Sequence, residues 1–453
     1  MSFEKNEEYI VDILDNGYQG EGIAKIENFT LFVPGVIKGE KVRIAITKLN
    51  KNYGYARVIE IIEKSLDREQ PICDTYKRCG GCHLQHLSYD AQIDMKTKQV
   101  KDTIEKQLGE LIEVKQTIGM GIPYGYRNKA QYPIGKNKEG IAILGFFAER
   151  THEVIPIDKC YIQNSICDLI AKDICHFINE KKIEVYSEYN KKGVFRHVVI
   201  RVGIRTDEVM VTLVVNRDKV SFEAELVDKL VGKYKNIKTI IKNVNKDNTN
   251  VIFGKENIVL YGEGYITDIL GEFKFKMSNM SFYQVNPIQT EVLYSTAMKY
   301  ADLSGEEIVF DLYCGIGTIS IFASQNAKKV YGIEVVEDAI INAKENAELN
   351  NINNIEFMVG KVEEVLPSLY RERSKADVVF VDPPRKGCDE KVLNTLLQLK
   401  PKKIVYISCN PATLARDIKI LMSEYVVEKI QPVDMFPNTY HVECGVLLTL
   451  KND

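Results

Sequence analysis

The sequence lacks any long apolar run: its longest clean stretch, IAILGFFA from Ile141 to Ala148, is eight residues. A bilayer crossing needs roughly 18, so no membrane partner is expected. It also lacks an excess of charge of either sign, because 60 Lys and Arg stand against 63 Asp and Glu for a formal net charge of −3. That balance gives no global footprint for nucleic acid, although RNA binding depends on a local basic face. The first twenty residues carry Glu4, Glu7, Glu8, Asp12 and Asp15 and no apolar core. No secretory leader is expected there, and the expected compartment is the cytoplasm. In that compartment the ten cysteines read as reduced thiols, metal ligands or nucleophiles rather than disulfides. There is no internal repeat and no low-complexity tract.

What is present is a chain of 453 residues, 45% apolar and 27% charged, which excludes disorder as the main state and suggests about three domains. Residues 1–62 read as five short strands between glycine turns (YIVDIL, GEGIAKI, FTLFVPG, EKVRIAITKL and YGYARVIEII), the pattern of a small closed barrel. Lys41, Arg43, Lys48, Lys51 and Arg57 form a basic run interleaved with Tyr53 and Tyr55. Residues 63–282 open with a Cys-rich loop and a polar helix over 87–108, then become strand-rich. The segments are YRNKAQYPIG, IAILGFFAER, GVFRHVVIRVG, EVMVTLVVN and IVLYGEGYITDILGEFKFKMS, with a helix over 162–180 and an Asn-rich loop from Asn243 to Asn250. From 283 to 453 buried strands alternate with helices, which is a doubly wound α/β sheet.

In that last part the strand 307–313 runs into Asp311-Leu312-Tyr313-Cys314-Gly315-Ile316-Gly317-Thr318 and then a helix. Glycines at a strand-to-helix turn let a ligand approach the backbone, and Glu334 at the next strand end can accept from ribose hydroxyls. Such a pair fits a dinucleotide as well as S-adenosylmethionine. Asp382-Pro383-Pro384-Arg385 and Ser281-Phe282-Tyr283-Gln284-Val285-Asn286-Pro287 favour the latter, since a dinucleotide enzyme needs neither.

The combination FYQVNP, DLYCGIGT, VDPPRKG, YISCNPATLARD and HVECG resembles the RNA uracil-C5 methyltransferase family. GYQGEGIAKI, FVPGVIKGEKV and the basic strand resemble its RNA-binding TRAM barrel. The resemblance covers nearly the whole chain and implies a class I, Rossmann-like methyltransferase fold behind an OB-type barrel. It implies that Gln284, Tyr313, Glu334 and Asp382 hold S-adenosyl-L-methionine. The sequence departs from the family at Lys361, where relatives commonly place Asp or Asn toward the adenine, so no contact is assigned there.

Carbon 5 of uracil is a poor nucleophile until a thiolate adds to carbon 6, and a base must then remove the carbon-5 proton before the thiolate leaves. Cys409 ends the strand KIVYIS before a helix whose first residue is Pro411, where the helix dipole favours a thiolate. By position alone a buried structural thiol is the commoner fate. The resemblance makes Cys409 the nucleophile and Glu443, in His441-Val442-Glu443, the base. His441 stands second as base, and Cys314 and Cys388 are competing thiols.

Cys73, Cys79 and Cys82 supply three thiols in ten residues, and Cys160 offers a fourth. Four Cys suit zinc or an iron–sulfur cluster, and His83 or His86 would serve a zinc site. The family's CxxxxxCGGC with a distant DKC implies a [4Fe-4S] cluster. Tyr126-Arg127-Asn128-Lys129 and Phe195-Arg196-His197 are expected RNA-facing patches. The expectation is a monomeric enzyme, with no DNA partner, that makes 5-methyluridine in 23S rRNA, the target of most cluster-bearing bacterial relatives. The alternatives are the same reaction on tRNA, amino methylation of a base, a radical methylthiotransferase, or a non-catalytic RNA-binding iron–sulfur protein. Arg385 in place of an aromatic disfavours the second, and the x5, x2 cysteine spacing the third.

Overall fold

The computed structural model describes residues 3–149, 151–373 and 376–451. The expected end of one strand at Arg150, and the outermost residues of the chain, lie outside them.

The N-terminal part is one six-stranded sheet rather than five strands, because Asp15–Asn16 adds a two-residue strand against Gly22–Ile26. The strand Glu8–Asp12 pairs with Lys41–Leu49, while Leu14, two residues beyond it, donates to Ile23 toward the other end of the sheet (2.8 Å). The chain thereby closes the sheet on itself around Leu31, Val33, Val42, Ile44 and Ile46. Closure leaves no long open edge.

A seven-stranded sheet follows, in the order Glu256–Tyr261, Ile237–Val244, Val209–Val215, Phe195–Val202, Lys129–Lys136, Ala142–Phe147 and Val154–Pro156. Helices Ser165–Glu180 and Glu223–Lys233 cover it. The Asn-rich segment is only partly a loop, and the strand Ile237–Val244 extends into it. Buried Asn243 and Asn245 permit this by donating to the carbonyls of Gly254, Val251 and Ile252. These amides replace ladder partners that the turn cannot supply.

The last sheet runs 355–359, 329–334, 308–312, 378–381, 403–408, 443–450, 425–433. All neighbours are parallel except 443–450, which is antiparallel to both of its neighbours. Tyr425–Val433 is a strand that the alternation of pattern did not reveal. Two outlying pieces share this core. The hairpin Tyr265–Leu270/Phe273–Ser278 packs Phe275 and Met277 beside Leu293 and Val405. The helix Tyr89–Leu108 buries Val100 and Ile104 beside Leu414 and Ile418.

Candidate active site

The carboxyl ends of parallel strands share one edge, and the crevice outside that edge is where such sheets bind ligands. Strand Ile308–Leu312 delivers the loop 313–317 there, Lys329–Glu334 delivers Glu334, Val378–Val381 delivers Asp382 and Lys403–Ser408 delivers Cys409. The reversed strand Glu443–Leu450 starts at the same edge. Ser408, the last residue of its strand, pairs with Cys444, so Cys409 and Glu443 lie one residue beyond that pair at the same edge, near enough for the Glu443 charge to act on the thiol.

The charges follow from that placement. Glu443 is 4% exposed. Burial and the nearby Asp382 push its carboxyl up to about 8, against the opposing Arg385 guanidinium. The thiolate expected from the helix dipole is not favoured in the ligand-free fold: burial, then Glu443 and Asp382, push the Cys409 thiol up to about 11, again opposed by Arg385. Asp382 keeps some access to solvent, and desolvation of its carboxyl pushes it up to about 7. Burial, then the neighbouring Arg385, His83, Lys96 and Arg127, hold His441 down at about 4. Cys314 and Cys388 lie in packed interior, 5% and 7% exposed, with Tyr406 donating to the Cys388 sulfur.

The loop beside these residues is an open cradle. Gly315 and Gly317 have φ of +54° and +81°, and a Cβ on Gly315 would meet nothing within 4 Å. Tyr313 shares the left-handed conformation at φ +66°, a strain of about 1 kcal/mol for a residue with a side chain. Glu334 accepts from Gly315 N (3.3 Å) and Val336 N (2.9 Å). The main-chain carbonyl of Gln284 accepts from Asn128 (3.0 Å), and Arg201 donates to Ser281 O (2.8 Å). The central sheet therefore fixes the segment that carries Gln284. Lys361 is exposed and pairs with Glu364 (3.2 Å).

Asp311 was not singled out from sequence. It is fully buried, accepts from Ser320 (2.6 Å) through one oxygen and leaves the other without a partner. Burial is the main cause that pushes it up to about 7. A charged residue inside the apolar strand IVFDL was the available signal. A cleft holding Asp311, Asp382 and Glu443 at raised values fits a positively charged ligand, and the glycine cradle fits a ligand that lies against backbone.

Tyr18 was also missed, since it belongs to the barrel. Gly20 packs so closely on Leu84 that a Cβ there would stand 2.6 Å from its methyl. The loop so fixed carries Tyr18 toward Arg385 and Cys409, with its ring 6.2 Å from Tyr440. His83 joins the same aromatic group, 4.5 Å from Tyr440.

The four expected ligand thiols are neighbours. Cys82 responds to Cys160, Cys79 and Cys73, and burial pushes Cys82 and Cys160 each up to about 12. Among the described residues, however, no group of three or more His, Cys, Asp or Glu is arranged to hold a metal ion. His86 is hydrogen-bonded to the Tyr76 hydroxyl (2.6 Å).

The two expected RNA-facing patches are not open surface: Tyr126, Asn128, Phe195, Arg196 and His197 are buried, Arg127 and Lys129 are half-buried, and Arg196 and His197 reach solvent only through a cavity. Arg196 spends its guanidinium on the carbonyls of Asn245, Asp247 and Thr249. The basic barrel strand does face solvent: Lys48, Lys51, Arg57, Tyr53 and Tyr55 are exposed, and Phe32 stands 5.8 Å from each of the two tyrosines. Arg43 there is neutralised by Glu60 (2.8 Å).

A doubly wound sheet with one reversed strand, closed around a glycine cradle and an acidic cleft, defines an S-adenosylmethionine-dependent class I methyltransferase. Residues 88–451 match the tRNA (Uracil-5-)-methyltransferase family and residues 3–59 match the TRAM domain. The chain belongs to this family of RNA uracil-5-methyltransferases and is an enzyme.

It is 51% identical over 450 residues to a protein named as an uncharacterized RNA methyltransferase of Clostridium acetobutylicum, covering 98% of this chain and 97% of that one. An RNA methyltransferase of Halalkalibacterium halodurans is 47% identical over 99% of this chain and 98% of its own. The crystal structure of Pyrococcus abyssi tRNA (uracil-54, C5)-methyltransferase in complex with S-adenosyl-L-homocysteine is similar with a TM-score of 0.78 and 28% identity. It covers 97% of this chain and 100% of its own. No helix among the described residues is long and apolar enough to cross a membrane.

Proposed function

We propose that this enzyme methylates carbon 5 of a uridine in 23S rRNA, with Cys409 as nucleophile and Glu443 as base. The observation that carries the reading is the nearness of Cys409 and Glu443 at the open sheet edge, each next to the paired Ser408 and Cys444. Cys409, its proton given up to solvent, bonds through sulfur to carbon 6, and the electrons of the 5,6 double bond move toward the carbonyl as an enolate. S-adenosyl-L-methionine, when bound, would supply the electrophilic methyl group to carbon 5, its sulfonium C–S bond breaking to leave S-adenosyl-L-homocysteine as a neutral thioether. Glu443 then accepts the proton from carbon 5, the double bond re-forms and the carbon–sulfur bond breaks. Glu443, pushed up to about 8, lies nearer the working pH than His441 at about 4, which favours the carboxylate as base.

Gln284, Tyr313, Glu334 and Asp382 hold the methyl donor in this reading, with Glu334 accepting from ribose hydroxyls. Lys48, Lys51, Tyr53 and Tyr55 of the barrel contact RNA. Cys73, Cys79, Cys82 and Cys160 hold a [4Fe-4S] cluster that braces the loop carrying His83. The Pyrococcus abyssi enzyme acts on tRNA, and the same chemistry on tRNA is the second reading. Mapping 5-methyluridine in ribosomal and transfer RNA from a deletion strain separates them. Loss confined to 23S rRNA supports the first reading, loss in tRNA the second, and loss in neither overturns both.

A further inference from the structure

A cavity of about 440 Å³ opens on the central sheet, and its lining includes none of the residues assigned above to the methyl-transfer cleft. Its floor comes from an irregularity in a strand. Phe195 pairs with Val215 and His197 with Val214, so Arg196 is an extra residue, a bulge. A regular strand would send Arg196 and His197 to opposite faces, whereas a bulge re-aims side chains. Here both line the same cavity.

Each has a buried nitrogen with no partner. Arg196 is 4% and His197 8% exposed, and Arg196 Nε and His197 Nδ1 are unsatisfied. Such atoms carry a desolvation cost until a ligand meets them. The Arg196 guanidinium is held flat by three loop carbonyls and lies over the Tyr186 ring at 4.4 Å. Burial, then Arg196, hold His197 down at about 4, so it is neutral at pH 7. Phe147 forms part of the wall; Lys136 and Lys192 stand exposed at the rim beside Glu184 and Glu188, whose carboxylates face Arg217 (3.9 Å) and His152 (2.5 Å).

We propose that this cavity takes an unpaired nucleobase of the RNA substrate. Its edge would be met by Arg196 Nε and His197 Nδ1, its face would lie against Phe147, and its phosphate would be met by Lys136 and Lys192. Bases do stack on guanidinium planes and aromatic rings, with sequence read at their edges. Pro133 of the cavity is five residues along the strand from Asn128, which holds Gln284. At about 3.3 Å per residue the pocket is ~15–20 Å from that segment, within reach of a few nucleotides of one RNA loop. The inference rests on the RNA-methyltransferase reading.

The test is ultraviolet cross-linking of the full chain to cellular ribosomal and transfer RNA, with nucleotide-bearing peptides mapped by mass spectrometry. Adducts on Tyr186 or Phe147, lost in Lys136→Glu/Lys192→Glu, are expected. His197→Gln, and separately the double rim variant, should weaken RNA binding by about tenfold. Adducts at the barrel or catalytic cleft but none at Tyr186 or Phe147 overturn the pocket and leave the enzyme reading standing. No RNA adduct anywhere overturns both. Adenosine and guanosine 5′-monophosphate should perturb the pocket resonances of the wild-type chain by NMR, and inorganic phosphate should not. Equal perturbation by phosphate alone would make this an anion site and overturn the base reading.

Discussion

Lys96 Nζ lies 2.5 Å from Asp434 Oδ1, and both side chains are fully buried. One belongs to the helix Tyr89–Leu108, the other to the turn that precedes His441 and Glu443. Burial lowers the Lys96 pKa and Asp434 opposes that shift. Tyr89 donates to the other Asp434 oxygen (2.9 Å), and Gln92 accepts from Asn438 N (3.0 Å). A helix far from the catalytic strands in sequence thus holds the turn that aims the proposed base. Lys96→Met leaves an uncompensated buried carboxylate and should destabilise the chain by roughly 3–5 kcal/mol. Urea unfolding checks it, and a change under 1 kcal/mol contradicts the account.

The two catalytic assignments fail at different steps. Cys409→Ala should bind RNA and form no adduct, because nothing attacks carbon 6. Glu443→Gln should add, methylate and stall, leaving a protein–RNA species that survives a denaturing gel. Wild-type enzyme on 5-fluorouridine RNA should stall likewise. Normal turnover by Glu443→Gln would return His441 to consideration.

Glu334→Ala removes the proposed acceptor for the ribose hydroxyls, and should weaken S-adenosylmethionine binding by about tenfold, a loss of ~1.4 kcal/mol. Asp382→Ala should act more on turnover than on affinity. Calorimetric titration and single-turnover rates distinguish the two, and unchanged values in both variants mean that the pocket lies elsewhere.

Glu443, Asp382 and Asp311 are pushed up to about 8, 7 and 7 by burial. Their folded values exceed their unfolded ones, so the folded chain binds more protons at them between about pH 4 and 8. These three carboxyls therefore contribute a fall in stability as pH rises through that window, while His86, His197 and His441, held down at about 4, contribute a rise between about pH 4 and 6.5. Above that range the carboxyls act alone among these groups, so the Tm of the ligand-free enzyme should drop from about pH 6.5 to pH 8, and Glu443→Gln should flatten part of the drop. A drop that Glu443→Gln leaves unchanged would refute the burial argument.

Anaerobically purified protein should be brown and carry about four irons per chain. Cys82→Ser should lose colour and iron together. Stoichiometric zinc without iron would sink the cluster assignment.

The sequence by itself determined much of this. The strand-end motifs around Gly315, Asp382 and Cys409 were legible because a parallel sheet puts its ligand-facing residues just after short apolar runs, where local pattern and chemistry coincide. The barrel was legible from glycine-punctuated alternation. The strand Tyr425–Val433 was not, since charged Glu428 and Lys429 break its apolar pattern. Only the tertiary structure decided which residues meet across distance. The pairing of Lys96 with Asp434, the reach of Tyr18 to Cys409 and the burial of Arg196 and His197 depend on packing between segments. A residue's polarity reports its need for a partner, while the fold alone determines whether water, a carbonyl or a ligand meets that need.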